Sequence, residues 1–472
     1  MELLRLERIS RTDNIYLGTK CFTLNLKIYV KENRKMEFIN EILDLDNMYQ
    51  AYKRVVSNKG ASGIDGMDVK DLYDYISKNS SHIINSIKDG TYKPQPVRRV
   101  YIPKPNGDKR PLGIPTAIDR VIQQAIATKL SELYEPLFSD SSFGFRPNRD
   151  CHKAMFRAME YLNEGYEWIV DLDIEKFFDR VNQDKLTSII REQMNDSKTL
   201  KLINKFLKSG VMENGVVVPT KDGMPQGGPL SPILSNIYLD KLDKELETRG
   251  LRFVRYADDC IIFVKTKKAA YRVLTSIVSW IERKLFLKVN ATKSKVSRPS
   301  DTDYLGFTFY NYKDKWTCRP KNAKKRELKD KIRKITIRKI CVAKNIRETV
   351  YKLNALLRGW INYFKIGRIK TFLKEVIGPM VRNRLRTIIV KQWKNPPTIL
   401  KNLRKIVKEY KKSNFTEKRL YILANSRKGC YARCVLGGYT SILSIKYLSE
   451  FIKTEKGRYG LIDPVAYFMK QA

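Results

Sequence analysis

Apolar residues recur at helical spacing near the start of the chain. The stretch MEFINEILDLDNMYQAYKRV, which begins at Met36, carries an apolar residue every three or four positions between Phe38 and Tyr52. This spacing predicts one amphipathic helix, and a second helical pattern runs between residues 120 and 138. No such period holds upstream of Met36. Residues 1–35 are therefore either a loose N-terminal extension or sequence that precedes the true start at Met36.

Short strands are predicted in the middle of the chain. RRVYIPKP (98–105) and the following NGDKRPLGI have the pattern of two strands that join at Asn106-Gly107. From about residue 168 to 310, short strands alternate with helices and turns. Within this region RFVRYADDCIIFV (252–264) predicts a hairpin with an acidic tip, because β-branched and aromatic residues flank two aspartates.

Basic residues accumulate after Phe309. Between Arg319 and Lys412 there are 30 lysines and arginines but only 5 acidic residues, while apolar residues keep a helical spacing. This pattern predicts a basic helical domain that lies along a phosphate backbone. Pro396-Pro397 is expected to break the helical run, and a glycine-rich corner is expected at Gly437-Gly438.

The composition narrows the class of protein. With 472 residues, 42% of them hydrophobic and 11% aromatic, the chain can form two to four domains with real cores, which excludes a disordered basic tail. Its formal net charge of +42 indicates a polyanionic partner, most simply nucleic acid. No run of about 18 apolar residues occurs and the first 30 residues carry scattered charges, so we expect neither a membrane span nor a secretory signal.

Cysteine and histidine usage excludes other classes. The seven cysteines are scattered and odd in number, which argues against a disulfide framework and for a reducing, intracellular compartment. Cys430 and Cys434 are four residues apart, but no second pair and no nearby histidine completes a zinc site. With two histidines in the whole chain, a His-Asn-His nuclease module is excluded.

Two acidic segments are candidates for a metal site. Asp258 and Asp259 stand at the predicted hairpin tip, and Asp171 and Asp173 follow a predicted buried strand at Trp168–Val170. Adjacent carboxylates repel one another, so they cost stability unless a cation binds there. Two Mg²⁺ ions held by such carboxylates can stabilise both the attacking and the leaving oxygen in phosphoryl transfer. Taken singly, each segment could also be an ordinary acidic turn.

A glycine-rich segment stands between the two acidic segments. DGMPQGGPLSPILSNIYLDKLDKEL (222–246) places Gly223, Gly227 and Gly228 ahead of a helix that is predicted to begin after Pro229. Such a turn allows a nucleotide or a template base to approach the backbone closely. An ordinary loop before a core helix is the alternative.

In their order along the chain, these segments resemble a group II intron-encoded reverse transcriptase and maturase. The resemblance covers roughly residues 40–472. It rests on these blocks: GIDG (63–66), IPKPNGDKRPLGIPTAIDRVIQQAI (102–126), SFGFRPNRDCHKA (142–154), DLDIEKFFDRV (171–181), MPQGGPLSPILSNIYL (224–239), RYADD (255–259), NATKSKV (290–296), YLGF (304–307), RGWINYF (358–364) and LANSRKG (423–429).

The resemblance implies an α+β fold of the right-hand polymerase type. Fingers and palm with an antiparallel sheet would span 36–310, after the N-terminal extension 1–35. An all-α thumb, also called the maturase or X domain, would span 311–392. A small basic DNA-binding region would form residues 393–472.

The resemblance also implies the residues of the polymerase site. The catalytic and metal-binding carboxylates fall on Asp173, Asp258 and Asp259, with Asp171 as the alternative for the first of them. They would bind two Mg²⁺ ions, for which Mn²⁺ could substitute. Phe178 falls on the steric gate, where a bulky ring would clash with the 2′-hydroxyl that distinguishes ribonucleotides from deoxyribonucleotides.

Further residues are predicted to contact the substrates. The nucleotide site would include these residues: Lys104, Arg110 (or Lys109 in its place), Gln226, Gly227, Ala257 and Lys293. The two basic residues of the fingers would grip the triphosphate, and Lys293 is a candidate proton donor to pyrophosphate. The predicted nucleic-acid contacts are Arg358, Arg382, Arg384, Arg386, Arg427 and Lys428.

The resemblance predicts an RNA-directed DNA polymerase that binds its own intron RNA, assists its splicing and supports intron mobility. Its partners would be intron RNA, an RNA template with a DNA primer, target DNA and dNTPs, in a bacterial-type cytoplasm or nucleoid. One alternative is a splicing factor that has no catalytic activity. Another is a reverse transcriptase domesticated for defence or repair. An RNA-dependent RNA polymerase is disfavoured by Phe178 and by Ala257, where such enzymes commonly carry glycine.

Overall fold

The structure, a computed structural model, describes residues 37–103, 107–220, 222–343, 345–435, 437–454 and 457–471. The predicted extension 1–35, Lys104 and Asn106 lie outside these residues. The strands are β1 Val97–Pro103, β2 Lys109–Ile114, β3 Trp168–Leu172, β4 Val211–Glu213, β5 Val216–Val218, β6 Arg252–Tyr256, β7 Asp259–Val264, β8 Lys295–Ser297, β9 Asp303–Tyr304, β10 Phe307–Tyr312, β11 Lys315–Pro320, β12 Ile452–Thr454 and β13 Gly457–Tyr459.

Helices separate and follow these strands. The α-helices are α1 Phe38–Ile42, α2 Leu45–Ser57, α3 Leu72–Lys88, α4 Ala117–Tyr134, α5 Cys151–Asn163, α6 Phe177–Arg180, α7 Gln183–Arg191, α8 Ser197–Leu207, α9 Ser231–Thr248, α10 Lys267–Trp280, α11 Asn322–Ile335, α12 Arg338–Ala343, α13 Ile346–Phe364, α14 Lys370–Phe372, α15 Gly378–Gln392, α16 Pro396–Glu409, α17 Glu417–Ala424, α18 Cys430–Val435, α19 Gly437–Ile442, α20 Ile445–Glu450 and α21 Pro464–Gln471. No helix in the described ranges is long and apolar enough to cross a membrane.

The chain divides into two compact units. The first comprises the described residues up to Ser139 with Ile174–Lys244 and Trp280–Lys288. Helix α4 is buried on most of its sides there, since Val121, Ile122, Ala125 and Ile126 are all inaccessible to solvent. A sheet with the order β2-β1-β4-β5 belongs to the same unit. The predicted strand pair before residue 115 is confirmed, with Arg98 opposite Ile114 and Pro103 opposite Lys109.

The second unit comprises Asp140–Asp173, Glu245–Ser279 and the described residues from Val289 onward. Its main sheet is antiparallel and has the order β6-β7-β3-β8. The central strand β7 is apolar on both faces from Cys260 to Val264 and is buried throughout that stretch. This sheet, the β10–β11 hairpin and helices α11, α13 and α15 share one hydrophobic core. The sequence therefore forms the mixed α and β architecture that we predicted.

Two local predictions are wrong. The single helix expected from Phe38 to Tyr52 is interrupted, because the Asp44 carboxylate accepts hydrogen bonds from Asp46 N and Asn47 N and so starts a new helix. Leu45 consequently points outward and is 79% exposed. The expected corner at Gly437-Gly438 is the first turn of α19. A Cβ at Gly438 would lie 2.8 Å from Leu423 Cδ2, so this glycine allows close helix packing.

The helical region begins later than residue 311. The hairpin β10–β11 pairs Phe307 with Pro320 and Tyr312 with Lys315, and this pairing continues the strand structure to Pro320. Helices α11 to α19 then follow one another, and the predicted break falls between α15 and α16, where Asn395 caps Thr398 N and Pro396 starts the new helix.

Candidate active site

The acidic hairpin forms as predicted. Tyr256 pairs with Asp259, and Ala257 and Asp258 form the two-residue turn between β6 and β7. Ala257 has a positive φ of 59°, the left-handed conformation that tight two-residue turns between antiparallel strands require. Asp258 therefore occupies the turn itself, and Asp259 is the first residue of β7.

The strand register brings the second acidic segment to the same place. Strand β3 pairs with β7 through Asp171 opposite Ile261 and Leu172 opposite Cys260. Continued by one residue, this register sets Asp173 beside Asp259. On its other edge β3 pairs with β8, where Lys295 lies opposite Asp171. Four carboxylates thus gather at one end of the sheet, although the two segments are more than 80 residues apart in the sequence.

The electrostatics of this carboxylate cluster (Asp171, Asp173, Asp258 and Asp259) favour a bound cation. Desolvation, and then repulsion from the other three carboxylates, raises the pKa of Asp259 to about 6. Desolvation also raises the pKa of Asp171 to about 6, although Lys295 acts against this shift. Asp259 nevertheless remains open to solvent on part of its surface. A cation could therefore reach the cluster and relieve the repulsion.

Three residues of the NATKSKV segment hold Asp173. The Asp173 amide donates to Ser294 Oγ at 3.0 Å, and the Asn290 amide donates to the Asp173 carbonyl at 2.8 Å. The Lys293 ammonium lies 3.4 Å from the Asp173 carboxylate. Asp173, Asp258, Asp259, Asp171 and Lys293 are therefore brought together. The contacts of Ser294 and Asn290 were missed by the sequence analysis, because a short polar residue carries no sign of its distant partner.

The donor set suits a hard divalent ion. Among the described residues, no group of three or more acidic, histidine or cysteine side chains is already arranged to hold a metal ion. Mg²⁺ does not require a closed cage of protein ligands, since it keeps several waters and binds through one or two carboxylates and substrate phosphates. Carboxylates that raise one another's pKa fit this requirement better than a zinc or copper site, which would use sulfur or nitrogen ligands.

Magnesium is expected to stabilise the folded protein through this cluster. We predict that several millimolar Mg²⁺ raises the melting temperature of the chelator-treated protein and that Asp259→Asn abolishes this increase, because ligand binding to the folded state shifts unfolding. Differential scanning calorimetry measures both. Asp330→Asn is the matched control, since Asp330 is an exposed carboxylate in α11 that pairs with Arg333. An equal increase in all three proteins would contradict a metal site at the cluster.

The predicted gate residue lies in the first unit. Helix α6 starts at Phe177, which is 2% exposed and packs 6.3 Å from the Tyr238 ring, whereas Phe178 is partly open. The backbone of Phe178 contacts the glycine-rich segment, where the Met224 amide donates to its carbonyl at 2.7 Å. A Cβ at Gly223 would lie 2.6 Å from the same carbonyl oxygen. Of the two adjacent rings, Phe177 is the core aromatic.

The glycine-rich segment also contacts β2 within the first unit. The Gly113 amide donates to the Gln226 carbonyl at 2.7 Å. Gly227 has a φ of 119°, and a Cβ there would lie 2.5 Å from the Gly113 carbonyl oxygen. Arg110 and Lys109 stand exposed at the start of the same strand. The Gln226-Gly227 turn and the predicted triphosphate-binding strand are thus in direct backbone contact at Gly113.

The predicted nucleic-acid contacts differ in exposure. Arg358, Arg427 and Lys428 are exposed. Arg384 instead donates to the Thr336 carbonyl at 3.1 Å, and Arg386 is 5% exposed and donates to the Leu443 carbonyl at 2.8 Å. Both guanidinium groups satisfy carbonyls at the C-terminal ends of neighbouring helices. Arg382, which is half-buried, also lies in α15.

Two family descriptions match successive parts of the chain. Residues 102–309 match "Reverse transcriptase (RNA-dependent DNA polymerase)", and residues 325–410 match "Group II intron, maturase-specific domain". The first match contains the whole carboxylate cluster, and the second contains the basic helices α13 and α15.

Individual proteins are similar to this chain over different shares of its length. The "Group II intron-encoded protein LtrA" of Lactococcus lactis subsp. cremoris is 42% identical over 257 residues, which are 54% of this chain and 41% of the relative. "Protein YkfC" of Escherichia coli (strain K12) is 30% identical over 304 residues, 56% of this chain and 79% of the relative. The "Putative COX1/OXI3 intron 2 protein" of Saccharomyces cerevisiae is 27% identical over 448 residues, 79% of this chain and 50% of the relative.

The chain spans 41% of the length of the Lactococcus protein. The reverse-transcriptase match nevertheless includes the acidic residues that meet in the structure, and the maturase-specific match follows it in order. The chain therefore belongs to the group II intron-encoded reverse transcriptases and maturases.

Proposed function

We propose that this protein is an RNA-directed DNA polymerase that also binds intron RNA, assists its splicing and supports intron insertion into DNA. The observation that carries the proposal is the convergence of Asp173, Asp258 and Asp259 at one end of an antiparallel sheet. In this proposal the β6-β7-β3-β8 sheet is the palm, helices α11 to α15 are the thumb, and residues 393–472 bind DNA.

Asp173, Asp258 and Asp259 would hold two Mg²⁺ ions, with Mn²⁺ as a substitute. When bound, such ions activate the primer 3′-hydroxyl and offset the charge on the departing pyrophosphate. Asp171 adds a fourth negative charge to the cluster and lies inside β3 rather than at its end. The Lys293 ammonium, which is exposed beside Asp173, is suited to donate a proton to pyrophosphate.

The remaining residues bind and select the substrates. Arg110 and the Gln226-Gly227 turn would hold the incoming dNTP, with a guanidinium suited to its triphosphate. Phe178 would exclude the 2′-hydroxyl of ribonucleotides. The net charge of +42 supplies a broad attraction for intron RNA, template–primer duplex and target DNA.

Primer extension tests the catalytic part of the proposal. A DNA primer annealed to an RNA template is incubated with the full chain, Mg²⁺ and either dNTPs or rNTPs. We expect extension with dNTPs and little with rNTPs. A folded, RNA-binding protein that extends no primer on several template designs would instead be a splicing factor without catalytic activity. A splicing assay with the intron RNA encoded beside the gene separates the intron function from a domesticated role in defence or repair.

The C-terminal basic residues are predicted to contribute to DNA binding through charge. Arg427→Gln should weaken binding of a duplex DNA and lower the slope of log affinity against log salt by about one unit. The matched control is Arg404→Gln, which removes one charge from the same region but acts on a guanidinium paired with Glu417. Fluorescence anisotropy over a range of salt concentrations measures the slopes. Equal slopes for both variants would contradict a specific phosphate contact at Arg427.

A further inference from the structure

A buried arginine lies directly behind the acidic turn. Arg255, in β6, is inaccessible to solvent and is the largest fully buried side chain among the described residues. Its Nη1 donates to the Ala257 carbonyl at 2.9 Å, and its Nη2 donates to Ser142 Oγ at 2.8 Å. Burying a guanidinium costs free energy unless hydrogen bonds satisfy it, and these two contacts contribute such bonds.

The segment 141–146 forms the other side of this arrangement. The Arg255 amide donates to the Ser141 carbonyl at 2.9 Å, and the Phe143 amide donates to the Arg255 carbonyl at 2.8 Å. The Arg146 guanidinium, also buried, donates to the Ser142 carbonyl at 2.9 Å. Arg255 therefore connects a second chain segment to the turn, through its side chain and through its backbone.

The same segment contacts the turn directly. A Cβ at Gly144 would lie 2.3 Å from the Ala257 amide nitrogen and 3.0 Å from the Tyr256 carbonyl carbon. Any larger residue would displace the turn, because both neighbours are backbone atoms. The turn is thus in close backbone contact with Gly144, and its Ala257 carbonyl accepts a hydrogen bond from Arg255.

The turn needs such support for two reasons. Ala257 adopts the left-handed conformation, which residues with a Cβ adopt at a cost. In addition, the turn presents Asp258 and Asp259 towards Asp171 and Asp173, and like charges favour moving apart. A hydrogen bond from a charged donor to the carbonyl at the apex opposes both tendencies.

We propose that Arg255 is a positioning residue for the polymerase reaction: with Ser142, it fixes the Ala257-Asp258 turn so that the aspartate pair meets the other carboxylates in a geometry that binds divalent metal. This inference rests on the proposed polymerase activity. Arg255 acts through the turn and does not itself contact substrate. The carboxylates that it orients belong to Asp258 and Asp259, which follow Arg255 by three and four residues.

The test compares Arg255→Met, Arg255→Lys and Ser142→Ala with the wild type as full-length proteins. We expect Arg255→Met to lower kcat about 100-fold, the effect of a misplacement of about 1 Å, while KM for dNTP and affinity for template–primer stay unchanged. Mn²⁺ affinity, measured by EPR without turnover, should fall about tenfold. Arg255→Lys can keep one of the two side-chain contacts and should fall between. Ser142→Ala should have a smaller effect and should add little to Arg255→Met, since both disrupt one connection.

A stability control separates positioning from folding. Leu353→Ala removes a fully buried side chain from α13 in the same core, so it should lower the melting temperature without changing Mn²⁺ affinity or kcat at a temperature where the protein is folded. Arg255→Met with the Mn²⁺ affinity and kcat of Leu353→Ala, at an equal folded fraction, would overturn the inference. A wild type that extends no primer would overturn the proposed function, while the Mn²⁺ comparison would still decide the role of Arg255.

Discussion

Replacing Asp258 with alanine is expected to lower primer extension at least about 1,000-fold while leaving RNA affinity nearly unchanged. The carboxylate stands in the turn between β6 and β7, where it repels Asp259 and so contributes to the demand for a cation. If Asp258 is a metal ligand as proposed, its removal should forfeit several kcal/mol of transition-state stabilisation, and about 4 kcal/mol corresponds to about 1,000-fold in rate. RNA affinity should persist because the proposed RNA binding depends on the 92 lysines and arginines and not on this carboxylate.

Single-turnover extension and equilibrium RNA binding measure the two quantities separately. Asp330→Ala is the matched control, because it also removes one carboxylate from the second unit but at an exposed position in α11. It should extend primers like the wild type. Normal extension by Asp258→Ala would show that this residue is not a metal ligand, and a matching loss of RNA binding would show that the variant acts through folding.

Phe178→Ala is expected to relax the choice between dNTPs and rNTPs by about 100-fold. The ring follows Asp173 by five residues, and Phe178 is partly exposed, whereas the preceding Phe177 is buried. If the ring excludes the 2′-hydroxyl, its removal deletes a steric penalty of about 2–3 kcal/mol, which corresponds to that change in the ratio of kcat/KM values. The measurement is single-nucleotide incorporation with each substrate.

The adjacent aromatic residue supplies the control. Phe177→Leu should lower the melting temperature, because Phe177 packs against Tyr238. Its ring also contacts the ring of Phe178 at 5.2 Å between centroids, so the dNTP to rNTP ratio should change far less than in Phe178→Ala. A ratio that changes equally in both variants would assign the effect to loosening of α6. An unchanged ratio in Phe178→Ala would mean that another residue selects the sugar.

The sequence predicted some of the local elements of this fold and not others. The hairpin at 252–264 formed as expected because its two apolar runs and its turn are contiguous. The helix after Met36 was predicted as one element because the period alone was considered. The Asp44 carboxylate accepts hydrogen bonds from two backbone amides and so divides the segment into two helices.

The sequence gives the number of basic residues but does not show which of them face solvent. The surplus of basic residues indicated nucleic acid, but it could not distinguish Arg427, which is exposed, from Arg386, which is buried and bonded to the Leu443 carbonyl. An arginine has the same formal charge in both places. Whether it faces solvent depends on helix packing between residues far apart in sequence.

By itself, the sequence determined the family resemblance and the identity of the candidate carboxylates and predicted a polyanionic partner, because these follow from residue type, order and composition. Only the tertiary structure decided that Asp171 and Asp173 meet Asp258 and Asp259, since this requires the antiparallel register of β3 with β7. It also decided that the buried Arg255 side chain donates a hydrogen bond to the Ala257 carbonyl in their turn. Contacts of this kind join segments about 80 to 110 residues apart, and no local pattern of a chain specifies such a distant partner.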